Sequence, residues 1–224
     1  MKRLLCVVAA ACVLFAGCKK DVVMGNPQLT TLDVESLSAI SVDLRADVRS
    51  WNDGPGWKRG FEYSTSADYS DSKVVDAYLY DKNLLQNTVI GLTPSTRYYY
   101  RAFLRQGSVY TYGGTVEFTT LPVSSLIETL DYALDEEEEH VTMNGKLSVS
   151  HSWYYYTVEY GFYVGASEGE MQRAYSVIGI PSDGRFSQTL HYNYFRDYPY
   201  HKAFIRLDDV TYFGEVKHVE LPNP

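Results

Sequence analysis

The pentapeptide at residues 165–169, GASEG, has the G-x-S-x-G spacing that presents a nucleophilic serine in many hydrolases. In that arrangement a strand leads into the serine, a sharp turn exposes its hydroxyl, and a helix follows at once. A strand pattern precedes Ser167, and aspartates and histidines follow it, but the residues after Gly169 show no helical periodicity. We therefore expect a glycine-rich turn and no catalytic residue, and we keep a serine hydrolase at Ser167 as an alternative.

The acidic run at 135–140, DEEEEH, contains side chains of the types that bind metal ions. Metal ligands must converge on one point, whereas consecutive residues in a strand or loop point away from each other. The five histidines show no H-x-x-H or Cys/His spacing, so zinc has no support in the sequence. We predict a solvated acidic loop, with no metal and no cofactor.

Aromatic and cationic side chains alternate along two segments of the chain, 98–105 and 200–206. If Tyr98 and Tyr100 face a core, the row between them faces outward, because successive side chains of a strand point to opposite faces. The outward row consists of Tyr99, Arg101 and Phe103 in the first segment and Tyr200, Lys202 and Phe204 in the second. We favour a cross-strand ladder, in which the cations stack on rings and pair with Glu62 or Glu117. The alternative is a docking strip for a partner protein or glycan.

Tryptophans beside polar residues form a second candidate contact surface. The loop residues concerned are Trp51, Trp57 and Tyr110 in the first part of the chain and Trp153 and Tyr155 in the second. Exposed rings of this kind stack on sugars, but tryptophan also caps the open end of a β-sandwich core. In the tyrosine triplet at 154–156 we expect Tyr155 to point outward and its two neighbours to point inward.

Short strands must position these side chains. The segment 39–50 alternates cleanly, with Ile40, Val42, Leu44, Ala46 and Val48 on one face. Further strand patterns occupy 57–64, 74–80, 84–92 and 140–150, and no segment carries a persuasive amphipathic helix. Tyrosine accounts for 21 of the 224 residues and favours strands. The chain is therefore predicted to be all-β, as an antiparallel sandwich or barrel.

The strand pattern occurs twice. The dipeptides that recur at a spacing of 101 residues are Gly60-Phe61 with Gly161-Phe162 and Ala102-Phe103 with Ala203-Phe204. A β-sandwich domain has about this length, so the repeat predicts two tandem domains, 28–122 and 123–224. The short boundary segment, 122–125, should limit bending between them.

The first 18 residues begin with Lys2 and Arg3 and continue with an apolar run that is too short to span a bilayer. This pattern is typical of a secretory signal. Residues 15–18, FAGC, resemble a bacterial lipobox. The resemblance implies a signal peptide over 1–17, lipidation at Cys18 and a tether over 18–27, and the alternative is a plain signal peptide.

Removal of the signal peptide has two consequences. Of the 3 cysteines, only Cys18 remains after cleavage, so no disulfide can form within the mature chain. The formal net charge of −8 becomes −10 because Lys2 and Arg3 are lost. Such an acidic protein without a basic cluster is a poor candidate for nucleic-acid binding.

Residues 92–98, LTPSTRY, resemble the segment before strand F of fibronectin type III domains. The stretches GFEYSTSAD at 60–68 and YGGTVEFTT at 112–120 resemble a variant of these domains that is common in surface lipoproteins of Bacteroidota. The resemblance implies two tandem immunoglobulin-like sandwiches, of which the second is divergent, because YNYFRDYPY replaces LTPSTRY there. It also implies structural roles for Leu92, Pro94 and Tyr98, with the Tyr98 hydroxyl bonded to nearby backbone as a tyrosine corner.

These patterns together predict an exported, lipid-anchored, non-catalytic protein. Lys19 after Cys18 resembles lipoproteins of the bacterial outer membrane, with the cell surface preferred and the periplasmic leaflet as the alternative. The predicted function is a ligand-binding or adhesion module for a glycan or an envelope protein. A structural spacer or subunit of an outer-membrane complex is the main alternative.

Overall fold

The computed structural model describes residues 26–51, 54–148 and 154–222. Within these ranges the chain consists of strands and turns, with a 3-10 helix at Val123–Ser125, a 3-10 turn at Tyr154 and Tyr155, and one short α-helix, α1 (Tyr192–Asp197). The all-β prediction is thereby confirmed. No helix in the described part of the chain has the length and apolar character needed to cross a membrane.

The first half of the chain forms two facing antiparallel sheets. Its strands are β1 (Gln28–Thr31), β2 (Ser41–Arg49), β3 (Trp57–Ser64), β4 (Lys73–Asp76), β5 (Tyr78–Asp81), β6 (Leu84–Ile90), β7 (Arg97–Gln106), β8 (Val109–Tyr112) and β9 (Val116–Thr119). One sheet has the order β1-β2-β6-β5, and the other has the order β4-β3-β7-β8, with β9 also paired to β7.

The second half forms another pair of antiparallel sheets. Its strands are β10 (Ile127–Asp135), β11 (His140–Leu147), β12 (Val158–Ser167), β13 (Glu170–Ile178), β14 (Arg185–His191), β15 (Tyr200–Leu207), β16 (Val210–Phe213) and β17 (Lys217–His218). The sheet orders are β10-β11-β14 and β13-β12-β15-β16, with β17 paired to β15.

Each pair of sheets encloses an apolar core. The inward residues predicted for β2, Val42, Leu44, Ala46 and Val48, are all buried in the first core. Ile40 departs from the predicted pattern, because it precedes β2 and packs with Ala39 into the second core. The two cores are therefore in contact at this point. The division into separate domains at 28–122 and 123–224 stays a prediction.

Both halves contain the same close approach between their first strand and a central strand. Thr31 Oγ1 accepts a hydrogen bond from the Ala102 N–H at 3.1 Å, and Thr129 Oγ1 accepts one from the Ala203 N–H at 3.0 Å. A Cβ at Gly113 or Gly214 would lie 2.5 Å from the same hydroxyl oxygen of its half. Glycine is needed at this place because the backbone passes too near the threonine for any side chain. No sequence pattern pointed to this arrangement.

The helix α1 was not predicted, and the expectation of no helix is wrong at this place. It begins after His191, whose Nδ1 accepts a hydrogen bond from the Asn193 N–H at 3.2 Å, and it buries Tyr192 and Phe195 in the second core. In the first half the corresponding turn is non-helical, and the Thr93 N–H donates to the Tyr98 hydroxyl at 3.0 Å. A helix of one and a half turns is stable only through the burial of its aromatic residues.

Candidate functional site

Arg101 lies on the outward face of β7 between two tyrosine rings. Its guanidinium carbon is 4.2 Å from the ring centre of Tyr69 and 4.0 Å from that of Tyr112. Its Nη2 is 2.7 Å from Glu62 Oε2, and the Glu62 side chain is only 14% exposed. Because the guanidinium already has these partners, the geometry favours the cross-strand ladder over a docking strip.

Phe103 and Phe204 lie on the outward faces of β7 and β15, but both are buried. Only 6% of Phe103 and 1% of Phe204 is exposed, so the prediction that they form accessible contacts is wrong. Each stands opposite a glycine on the neighbouring strand, and the missing side chain leaves room for the phenyl ring. Further rings pack against both phenylalanines: Tyr110 and Tyr112 in the first half and Tyr163 in the second.

The other members of the outward row are also engaged. The Lys202 ammonium is 4.3 Å from the ring centre of Phe213, so lysine and phenylalanine stand where the first half has Arg101 and Tyr112. The Tyr200 ring centre is 4.8 Å from that of His218. Tyr99 is half-buried. Both halves therefore use the row to cover a sheet face.

The tryptophan surface closes one end of the first core. Trp51 and Trp57 pack edge-to-face, with ring centres 6.5 Å apart, and both are partly buried against that core. Arg59 lies 5.6 Å from the Trp51 ring centre. Tyr110 is 44% exposed and stacks on Tyr112. Trp153, the tryptophan predicted for the second half, lies outside the described residues, as does Cys18.

Ser167 is the last residue of β12, and Glu168 and Gly169 form a two-residue turn into β13. Ser167 pairs with Glu170 across this hairpin and is exposed. The local structure is strand, turn and strand, whereas the hydrolase arrangement needs a helix after the serine. The geometry therefore does not favour the hydrolase alternative.

The acidic run forms the exposed end of the β10–β11 hairpin. Asp135 Oδ1 accepts a hydrogen bond from the Glu138 N–H at 3.1 Å, and His191 Nε2 lies 3.5 Å from Glu139 Oε2. Among the described residues, no group of three or more histidine, cysteine or acidic side chains is placed to hold a metal ion.

A groove of about 320 Å³ lies on the outer side of the β1-β2-β6-β5 sheet. Among its lining residues, only Tyr155 was predicted from the sequence as a contact residue. We call it the tyrosine groove. Its lining residues are Tyr78, Tyr80, Gln86, Asn87, Thr88, Ile90 and Tyr155. The three tyrosines are 69%, 76% and 69% exposed in chain order, so their rings are available to a ligand.

The strands β5 and β6 position most of the tyrosine groove. Tyr78 stands directly opposite Gln86, and a register shift between Leu79 and Asp81 turns the strand at Tyr80. The Asn87 amide donates to the carbonyl oxygen of Asp76, and the Thr88 hydroxyl donates to Asp43 Oδ1 at 2.6 Å. Two polar residues of the lining, Asn87 and Thr88, are thus held in place by hydrogen bonds.

The sequence pattern concealed Tyr78 and Tyr80 because 74–80 was predicted as one strand. The chain instead changes sheet at Ala77, which is buried and whose carbonyl oxygen accepts a hydrogen bond from Arg59 Nε at 3.1 Å. β4 stays with β3, and β5 joins β6 in the other sheet. This crossing places Tyr78 and Tyr80 on the outer side of the β1-β2-β6-β5 sheet.

Tyr155 reaches the tyrosine groove from the second half of the chain. It follows Tyr154, which is 85% exposed, and precedes Tyr156, which packs against the second core and whose pKa is raised by burial. Tyr155 was predicted to point outward, and its exposure agrees with this. Tyr154 was predicted to point inward, and its exposure shows that this prediction is wrong. The Thr157 N–H donates to Asp208 Oδ1 at 2.8 Å and anchors the end of this segment.

Comparisons with known proteins identify no family for the chain, since no family model and no curated protein sequence matches it. A solution structure of the sensor domain of the anti-sigma factor RsgI4 in Pseudobacteroides cellulosolvens has 16% identity and a TM-score of 0.36, covering 43% of this chain and 76% of its own. A crystal structure of part of S. aureus TarS has 6% identity and a TM-score of 0.42, covering 84% of this chain and 62% of its own. Scores this low carry no argument about ligand or activity.

Proposed function

We propose that the chain is a non-catalytic binding module of the bacterial cell envelope, with the tyrosine groove as the site that takes a glycan or a protein segment. The groove is the observation that supports the proposal. Its volume of about 320 Å³ falls at the lower end of the range of ligand sites, roughly 300–1,000 Å³.

The exposure of the three tyrosines is the second part of the argument. Tyr78, Tyr80 and Tyr155 leave most of their apolar rings in water, whereas buried rings such as Tyr100 fill the cores. Tyrosine side chains have few rotatable bonds and combine an apolar ring with a hydroxyl, so they lose little conformational entropy when they bind. Tyrosine is enriched among the residues that dominate binding energy, and three tyrosines line this one groove.

Membrane attachment is part of the proposal and rests on the N-terminal sequence. The apolar run that ends at FAGC predicts cleavage before Cys18 and acylation of this cysteine. Cys18→Ala is expected to move the protein from the membrane fraction to the soluble fraction and to abolish incorporation of a labelled fatty acid. Unchanged membrane association and labelling of this variant would contradict the anchor.

The binding function is tested with two adjacent tyrosines. The full chain purified in detergent is applied to a glycan array and to immobilised envelope proteins, as wild type, Tyr155→Ala and Tyr154→Ala. Tyr155→Ala is expected to weaken binding at least about tenfold, because a ring of the groove is lost. Tyr154→Ala is the matched control, since Tyr154 is more exposed but does not line the groove, and it should bind as wild type does.

The proposal fails if no glycan or envelope protein on these surfaces binds the wild-type chain. It also fails if the two variants bind equally well, because the ligand would then be held elsewhere on the molecule. Circular dichroism spectra should be alike for all three proteins, since neither tyrosine is buried.

A further inference from the structure

We infer that the ligand of the tyrosine groove is a neutral oligosaccharide. This inference rests on the proposed function and names the class of ligand that the same groove takes. The lining offers exposed phenol rings together with side-chain amides and a hydroxyl. Sugar rings present apolar C–H faces that stack on aromatic rings, and hydroxyl groups that donate and accept hydrogen bonds.

The absence of charge in the lining argues against an ionic ligand. Although the formal net charge of the chain is −8, no charged side chain is among the described residues that line the groove. Asp43 lies beside the lining and accepts the Thr88 hydroxyl hydrogen bond. Arg45 stands opposite Gln86 in the same sheet, but its Nη1 is already paired with Glu35 Oε2 at 3.0 Å. An anionic ligand would therefore have to compete with Glu35 for Arg45 and would also meet the negative charge of Asp43.

A cationic ligand is also a poor match for the groove. Tyrosine rings attract cations, but strong recognition adds a carboxylate that contacts the ligand directly. The carboxylate of Asp43 lies beside the groove but is not among its lining residues, so it does not offer a cation this direct contact. A neutral ligand needs no charged partner and can use the amide of Gln86.

The polar groups are held before a ligand arrives. The Asn87 amide is oriented by its hydrogen bond to the Asp76 carbonyl, and the Thr88 hydroxyl by its hydrogen bond to Asp43. Groups that are already ordered lose little entropy on binding, which is important for sugars because each hydrogen bond they make replaces one with water. This preorganisation supports a ligand that binds through many weak contacts.

The two halves of the chain both contribute rings, so a ligand of several sugar units can contact more of the groove than a monosaccharide can. Tyr78 and Tyr80 belong to β5, and Tyr155 belongs to the segment before β12. A single sugar ring has two faces and can stack on two aromatic rings at most, whereas an oligosaccharide can contact all three. We therefore expect affinity to rise with the number of sugar units.

The test is calorimetric titration of the full chain with neutral hexasaccharides, namely xylo-, cello-, manno- and maltohexaose, and with their monosaccharides. Oligogalacturonate of the same length and a proline-rich peptide represent an anionic glycan and a protein segment. We expect one neutral hexasaccharide to bind at least about tenfold more tightly than its monosaccharide. Tyr80→Ala and Tyr155→Ala should each weaken that binding by about tenfold or more. Tyr155→Phe, which keeps the ring, and Tyr154→Ala should bind within about threefold of wild type.

The outcomes separate this inference from the proposed function. Binding of oligogalacturonate or the peptide that is sensitive to Tyr155→Ala, without binding of a neutral hexasaccharide, would overturn the inference and leave the binding function in place. No binding by any neutral hexasaccharide also overturns the inference. A neutral hexasaccharide that binds wild type and Tyr155→Ala equally would overturn both, because its site would lie outside the groove.

Discussion

Between pH 7 and pH 5 the free energy of unfolding is expected to fall by about 2 kcal/mol because of one buried histidine, His201. Replacement by phenylalanine, His201→Phe, should remove most of this fall. The measurement is urea unfolding at a series of pH values, followed by circular dichroism. The expected result for the variant is a nearly flat stability between pH 7 and pH 5.

The reason lies in the surroundings of His201 in the second core. The side chain is fully buried, and neither ring nitrogen has a hydrogen-bond partner among the described residues. The Tyr132 and Phe162 rings pack around it at 6.2 and 6.5 Å between ring centres. Burial, and to a smaller extent the positive charge of Lys217, lowers the pKa of His201 from 6.5 to about 4.

The direction of the pH effect follows from this lowered pKa. Below about pH 6.5 the unfolded chain takes up a proton on His201, whereas the folded chain does not until the pH approaches 4. Protons therefore favour the unfolded state across this window, and stability is lost as the pH falls. The window from pH 7 to pH 5 lies above the pH range in which Asp68 and Asp131 lose their protons, because hydrogen bonds lower the pKa of both carboxyls.

A matched control is the exposed histidine of β17. His218→Phe should keep the fall in stability that is assigned to His201, since His218 is exposed and its replacement leaves His201 buried. If His201→Phe loses as much stability between pH 7 and pH 5 as the wild type, the role of His201 is disproved. At pH 7 this variant should be at least as stable as wild type, because two unpaired buried nitrogens are removed.

Gly161→Ala is expected to destabilise the protein by about 3 kcal/mol or more. The added Cβ would lie 2.8 Å from the Ser176 Cα and closer still to the carbonyl oxygen of Tyr175, both of which are backbone atoms of β13. Backbone in a paired strand cannot move as a side chain can. The substitution should therefore separate β12 from β13 and disturb Phe204, which stands opposite Gly161.

Gly169→Ala provides the comparison within the same hairpin. Nothing lies within 4 Å of a Cβ at this position, so stability should change by less than about 1 kcal/mol. The two variants are compared by thermal unfolding and by urea unfolding. Equal stabilities would show that β13 tolerates a side chain at Gly161 and would contradict the tight strand pairing described above.

Several parts of the fold could be predicted because they depend on local alternation. The residues of β2 from Val42 to Val48 alternate between apolar and polar, and the structure buries the apolar set. The spacing of 101 residues holds for Phe103 and Phe204 and for the glycines opposite them, Gly60 and Gly161. Tyr98 and Tyr100 are buried, and the pKa of Tyr100 is raised to about 12 by its burial.

The candidate site could be predicted only in small part. Tyr155 lines the groove, but Phe103 and Phe204, which were expected to be accessible, are covered by neighbouring rings. Alternation assigns a residue to a face of a sheet and does not say whether other strands cover that face. Burial of an outward phenylalanine depends on the partner glycine and on rings some distance away in the chain.

The sequence by itself determined the class of fold, the strand periodicity and the repeat, because these properties arise from neighbouring residues and their spacing. The tertiary structure alone decided that the chain changes sheet at Ala77 and that β5 presents Tyr78 and Tyr80 beside Tyr155. It also decided that His201 is buried without partners, at the position where the first half has Tyr100, whose hydroxyl donates to the Leu32 carbonyl. These features depend on contacts between residues far apart in the chain, which no local pattern contains.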